Sequence, residues 1–167
     1  IFRYNSCSES NDNYSLFYLG GTDSPVITNN IFQDNSCRVL HLNTFADTYI
    51  INNSFVGNTV AIVIDTGTDE STEIYRNNIL MQNDIGVEAR NPGGYFNASW
   101  QYNLVYDNTV DYADIDDQTG SNGNISVDPL FVDIAEGDYH LTAGSPAIDA
   151  GSDLYAPAFD FDGAVRP

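Results

Sequence analysis

The stretch RNNILMQND, residues 76–84, pairs two asparagines ahead of an apolar run and places a third asparagine five residues after the second. It has three siblings. VITNNIFQDNS (26–36), YIINNSFVGNT (49–59) and SWQYNLVYDNT (99–109) superpose on IYRNNILMQND (74–84). The key asparagines are Asn30, Asn53, Asn78 and Asn103, separated by steps of 23, 25 and 25. One more step of 25 back from Asn30 lands on Asn5. Two residues beyond the key positions runs an apolar series, Cys7, Phe32, Phe55, Leu80 and Val105. Five residues beyond them runs a second polar series, Asn35, Asn58, Asn83 and Asn108.

A second short strand-like run follows each block: SLFYL (15–19), RVLHL (38–42), AIVID (61–65), GVEAR (86–90) and VDYAD (110–114). These runs are rich in β-branched and aromatic residues, with Gly, Asn and Asp between them, which reads as strand and turn. No segment carries a sustained 3.6-residue apolar stripe with caps, so no helix is predicted. A period of 23–25 is too short for a propeller blade and lacks the leucine pattern of a leucine-rich repeat. The pattern predicts an all-β parallel β-helix solenoid of five to six coils, with equivalent strands stacked about 4.8 Å apart. Identical residues then lie above one another. Corner asparagines at Asn30, Asn53, Asn78 and Asn103 are expected to form a structural ladder, tolerating left-handed backbone and bonding amide to amide between coils.

These blocks resemble the right-handed parallel β-helix repeats of pectate-lyase-like proteins. The C-terminal third, with DPLF (128–131), GDYHL (137–141), GSPAIDAG (144–151) and DFDGAVRP (160–167), resembles the tail of bacterial secreted and cell-surface β-helix proteins. The resemblance implies coils over 1–127. Over 128–167 the residues themselves read as a last strand, DPLF in register 25 residues after NLVY, followed by a tail of small residues, Gly and Pro that wraps and caps the coil end as loops. The resemblance also implies an extracellular or cell-surface location in a bacterium. The chain is expected to be a piece of a longer protein, with parent polypeptide on both sides.

Charge narrows the partners. There are 24 acidic side chains against five basic ones, all arginine, for a net charge of −19. Nothing here could neutralise phosphates, which argues against nucleic acid, and an acidic surface is repelled by anionic lipid. No apolar run reaches the length of a membrane span, so no membrane insertion is expected. Cys7 and Cys37 are the only cysteines. Two allow one disulfide without demanding it; each falls where sibling repeats carry apolar residues, so buried free thiols are expected, and the metal-binding spacings CxxC and HxxxH are absent.

The residues stop repeating on the strands that follow the asparagines, and these strands carry the candidates for chemistry. Aligning Val39, Ile62 and Val87 as an inward column sets Asp65, Glu88 and Arg90 close together on adjacent coils. The resemblance implies action on acidic polysaccharides, and two carboxylates and an arginine could hold a Ca²⁺ and present a base, so these three are the candidate catalytic residues. The commoner alternative is an exposed salt-bridge patch. The same alignment sets His41 with Ile64 and Ala89 as a packed histidine, and makes Arg76 a surface residue. Tyr75 and Trp100 share a column with Ile27 and Ile50. Facing outward they would stack sugars, making them the carbohydrate-binding candidates, and facing inward they are core, the favoured reading. Asp114, Asp116 and Asp117, with Gly120 and Asn122, loosely imitate an oxygen-rich calcium loop, without its full spacing or closing Glu. Asp116 and Asp117 also form a carboxylate pair, but the GHG and RIK segments expected of β-helix polygalacturonases are missing. NPGG (91–94) reads as a turn.

The expected function is therefore a secreted or cell-surface structural or carbohydrate-binding module with no complete catalytic set and no required cofactor. The competing reading is an enzyme acting on an acidic polysaccharide with Ca²⁺ assistance, a lyase before a hydrolase.

Overall fold

The computed structural model describes residues 1–7, 14–22, 24–44, 46–65, 72–90 and 98–166. The turn expected at 91–94 lies outside them. The chain repeats a three-strand unit. The first unit is β1 (Phe2–Arg3), β2 (Ser15–Gly21) and β3 (Val26–Thr28). The second is β4 (Ile31–Gln33), β5 (Arg38–Thr44) and β6 (Thr48–Ile51), and the third is β7 (Ser54–Val56), β8 (Val60–Asp65) and β9 (Glu73–Arg76). The fourth is β10 (Ile79–Met81), β11 (Ile85–Arg90) and β12 (Ser99–Gln101), followed by β13 (Leu104–Tyr106) and β14 (Val110–Ala113).

Equivalent strands pair in parallel into three sheets. The first sheet is β1-β4-β7-β10-β13, the second β2-β5-β8-β11-β14 and the third β3-β6-β9-β12. This is a parallel β-solenoid, and the described residues contain no helix. The expected five to six coils are too many. The chain makes about three regular turns, β4–β6, β7–β9 and β10–β12, with a partial turn at each end. Stacked apolar residues fill the interior: Phe32, Phe55, Leu80 and Val105 under the first sheet, Leu40, Ile62 and Val87 under the second, Ile50, Tyr75 and Trp100 under the third. Phe32 and Phe55 stack at 4.8 Å between ring centroids.

The paired asparagines divide two tasks. The first of each pair takes the left-handed backbone, with φ near +56° at Asn29, Asn52 and Asn77, and Tyr102 takes it at the fourth corner. The second builds the ladder, so the key asparagines are not themselves the left-handed residues. Asn30, Asn53, Asn78 and Asn103 each give backbone N–H and Nδ2 to Oδ1 of the next rung. The ladder runs one rung beyond the repeat, to Asn124. Nδ2 of Asn53, Asn78 and Asn103 also donates to a backbone carbonyl of the preceding turn, at Ile27, Ile50 and Tyr75. A buried corner thus keeps its polar groups satisfied.

The second polar series does the same, from Asn35 through Asn58 and Asn83 to Asn108. Asn5 belongs here. Its amide reaches Asn35, and Phe2 rather than Cys7 begins the apolar series opposite Phe32. The step of 25 fails because this turn is longer: Asn5 stands 30 residues before its partner.

After Ile125, which bridges Leu104, the register stops. DPLF supplies no sixth solenoid strand. Phe131 instead starts β15 (Phe131–Asp133), which pairs antiparallel with β16 (Asp138–Leu141). The remaining tail does not close the end of the rod but runs lengthwise down its asparagine corner. Asn77 and Ser152 exchange two hydrogen bonds of 2.8 and 2.9 Å. Tyr155 meets Tyr49 one turn earlier. Asn29, one turn earlier still, donates to Phe159 O and accepts from Arg166 Nη2. Arg76 is covered by this strap rather than exposed. Its guanidinium lies 5.7 Å from the rings of both Tyr102 and Tyr155, and Nη2 donates to Gln101.

Candidate functional site

A small group of charged side chains lies on the outer face of the second sheet, and an irregularity in β5 decides which of them meet. Asn35 aligns with Asn58 across the corner, yet Arg38 aligns with Val60. The second turn therefore holds one extra residue between its asparagine and its strand. This slides β5 by one against the expected alignment, and a slip of one exchanges the faces of a strand. The inward column is Leu40, Ile62, Val87, not Val39, Ile62, Val87. His41 moves out of the expected column with Ile64 and Ala89 and aligns with Val63 and Glu88 on the outer face.

Asp65, Glu88 and Arg90 do come together. Asp65 and Arg90 are cross-strand partners on β8 and β11. Arg90 Nε stands 3.8 Å from Glu88 Oε1, two residues along the same strand. Two further residues, not anticipated from sequence, complete the group. Arg38 reaches across the intervening β8 to place Nε 3.2 Å from Glu88 Oε2. His41 sets Nε2 3.0 Å from Asp65 Oδ2.

His41 is only 3% exposed although it lies outside the core. The Tyr18 ring packs edge-on against it at 5.0 Å. Its Nδ1 is sealed from solvent and meets no partner among the described residues. Every carboxylate of the cluster thus has a cationic or imidazole neighbour. The one signal that could have revealed Arg38 and His41 is the alternation Leu40-His41-Leu42, which fits Ile62-Val63-Ile64 when one residue is inserted before Arg38.

The carbohydrate-stacking candidates are core. Tyr75 is 0% and Trp100 2% exposed, their rings 5.1 Å apart, so neither offers a face to a sugar. The Tyr75 hydroxyl donates to Glu73 Oε2, and burial pushes it well above the ordinary tyrosine range. The calcium candidates do not converge. Asp114, Asp116 and Asp117 are exposed, and Asp117 Oδ1 instead accepts the Thr119 N–H at 2.8 Å, which holds its carboxyl below the usual value. Among the described residues no group of three His, Cys, Asp or Glu side chains is arranged to hold a metal.

A cleft of about 620 Å³ lies between the tail and the asparagine corner. Its lining includes Asn77, Tyr102, Asp149, Asp153, Phe161 and Arg166. The exposed rings of Tyr102 and Phe161 and two carboxylates give it the mixed apolar and polar walls of a small-ligand site.

No family model matches the chain, no curated protein matches it, and no solved structure matches it.

Proposed function

We propose that the chain is a non-catalytic structural and carbohydrate-binding module of the right-handed, pectate-lyase-like β-helix type, secreted or displayed on a bacterial surface. The observation that carries this reading is the mutual pairing within the outer-face cluster. Glu88 is shared by Arg38 and Arg90, Asp65 is held against His41, and the second imidazole nitrogen is sealed. A general base must be free to take up the proton it removes, and each carboxylate here is already engaged by an arginine or an imidazole. Regular turns, two asparagine ladders and a lengthwise strap suit a rigid spacer. The cleft beside the strap supports sugar binding, because hydroxyls pair well with carboxylates and amides while sugar faces stack on rings. With a net charge of −19 the favoured ligand is a neutral glycan.

The competing reading is a polysaccharide lyase. The meeting of Asp65, Glu88 and Arg90 on adjacent strands favours it. One assay separates the two. The protein is incubated with uronate polymers, with and without added Ca²⁺, and unsaturated product is followed by absorbance. Neutral glycans are tested in parallel by affinity electrophoresis. The module reading expects no product and a retarded band on a neutral glycan. Product formation that disappears in Arg90→Ala overturns it.

A further inference from the structure

The isolated parallel bridge between Ser6 and Ser36 aligns the incoming first turn with the second, and Ser36 N–H donates to Asn5 O at 2.9 Å. The next residue on each side is a cysteine. Neighbouring parallel strands stand about 4.8 Å apart, inside the roughly 4.4–6.8 Å Cα separation that a disulfide requires. Cys7 and Cys37 are thiols in this structure, Cys7 half-buried and Cys37 buried. Burial pushes the Cys37 thiol up to about 12, and contact with the Cys7 thiol adds to that rise. Cys7 is therefore the one a reagent meets first. We propose that these two cysteines form an intramolecular disulfide that ties the partial first turn to the second, a cross-link independent of the functional reading above.

The place is one where a tie has an effect. Strand β1 has two residues and, among the described residues, pairs with β4 alone. With only two cysteines in the chain, the intramolecular pairing is unambiguous. The oxidant is a small-molecule disulfide. Cys7 loses its proton and its thiolate attacks one sulfur of the oxidant, breaking that S–S bond, forming a mixed disulfide and releasing one thiolate. Cys37 then loses its proton and attacks the Cys7 sulfur, which expels the second thiolate. The two protons end on the two released thiols, and the two electrons have reduced the oxidant.

The test compares the full chain after incubation with oxidised glutathione and with a dithiol reductant. Each sample is denatured, alkylated and weighed intact. The oxidised sample is expected to lose two hydrogens, take up no alkyl group, stay monomeric and yield a peptide joining residues 7 and 37. Its melting temperature should exceed that of the reduced sample by roughly 5–10 °C, the effect of closing a loop of about 30 residues in a domain of this size. Cys7→Ser and Cys37→Ser should each keep one alkylatable thiol and melt alike under both conditions. Two alkylated thiols after oxidation, or a covalent dimer, would overturn the proposal. So would a cross-link that leaves the melting temperature unchanged.

Discussion

Asn53 directs both of its donors, the backbone N–H and Nδ2, to one acceptor, Oδ1 of Asn78, each at 3.1 Å. Asn78 repeats the pattern toward Asn103, and its Nδ2 also donates to Ile50 O at 2.8 Å. Asn78→Ala strands the buried Asn53 backbone N–H and takes the side-chain donor from Ile50 O, while Asn53 Nδ2 keeps the Ile27 and Ile51 carbonyls and Asn103 Oδ1 keeps the backbone N–H of residue 78. At about 1–3 kcal/mol for each unmet group, with partial relaxation, a loss of roughly 3–5 kcal/mol is expected in urea unfolding. Asn78→Asp keeps the acceptor but sets a carboxylate against a carbonyl, and its loss should deepen as pH rises.

Gly57 occupies the left-handed position ahead of Asn58, with φ +69°. A Cβ there would stand 2.4 Å from Asp34 Oδ1 on the turn before. Gly57→Ala is expected to cost about 2–3 kcal/mol, part backbone strain and part clash. In an Asp34→Gly background the clash is gone, so the cost should fall to about 1–2 kcal/mol. A double-mutant cycle with no coupling would sink this account.

The tail should respond to pH through His140. Its Nδ1 lies 2.5 Å from Asp138 Oδ1 and its Nε2 2.7 Å from Asp162 Oδ2. Donating hydrogen bonds to these two carboxylates raises the imidazole above its ordinary value, and the His140 side chain and N–H lower Asp138. A raised histidine adds stability that is fully present below about pH 6.5 and is lost as pH climbs through the folded value. The lowered Asp138 contributes above about pH 4 and loses its contribution as pH falls through its folded value. Protease cleavage of the tail should therefore be slowest in mildly acidic buffer and quicken toward alkaline pH. In His140→Gln the alkaline change should vanish.

Glu88 serves two arginines, and all three side chains are partly exposed. Glu88→Gln removes the charge and should cost about 1 kcal/mol at low salt, with less lost at high salt. Guanidinium would mask the effect, so urea with added NaCl is the appropriate titration. A loss unchanged by salt would contradict an electrostatic origin.

The residues reveal the fold wherever stacking repeats a demand. Asn30, Asn53 and Asn78 meet the same corner, so the same amide recurs and the period is visible. Phe32, Phe55 and Leu80 are legible for the same reason. The reading weakens where one turn departs from the others. The residue inserted before Arg38 leaves the asparagine register intact while it slides β5 by one, which hid His41 and Arg38. The longer first turn misplaced Asn5 in the same way. The tail was read as a cap because its composition is that of loops. Its course is set by single long-range bonds such as Asn29 to Phe159, which no local pattern announces.

The asparagine ladders also give the rod a direction. Every rung donates toward the later turn and accepts from the earlier one. At the trailing face the chain terminates both series itself. Asp111 receives both donors of Asn108, and Asn124 donates into its own turn at Gln118 and Ser121. A further turn set against this face would find the trailing donors already engaged. Through these ladders the stack does not propagate past its trailing face, the hazard that parallel strands otherwise invite.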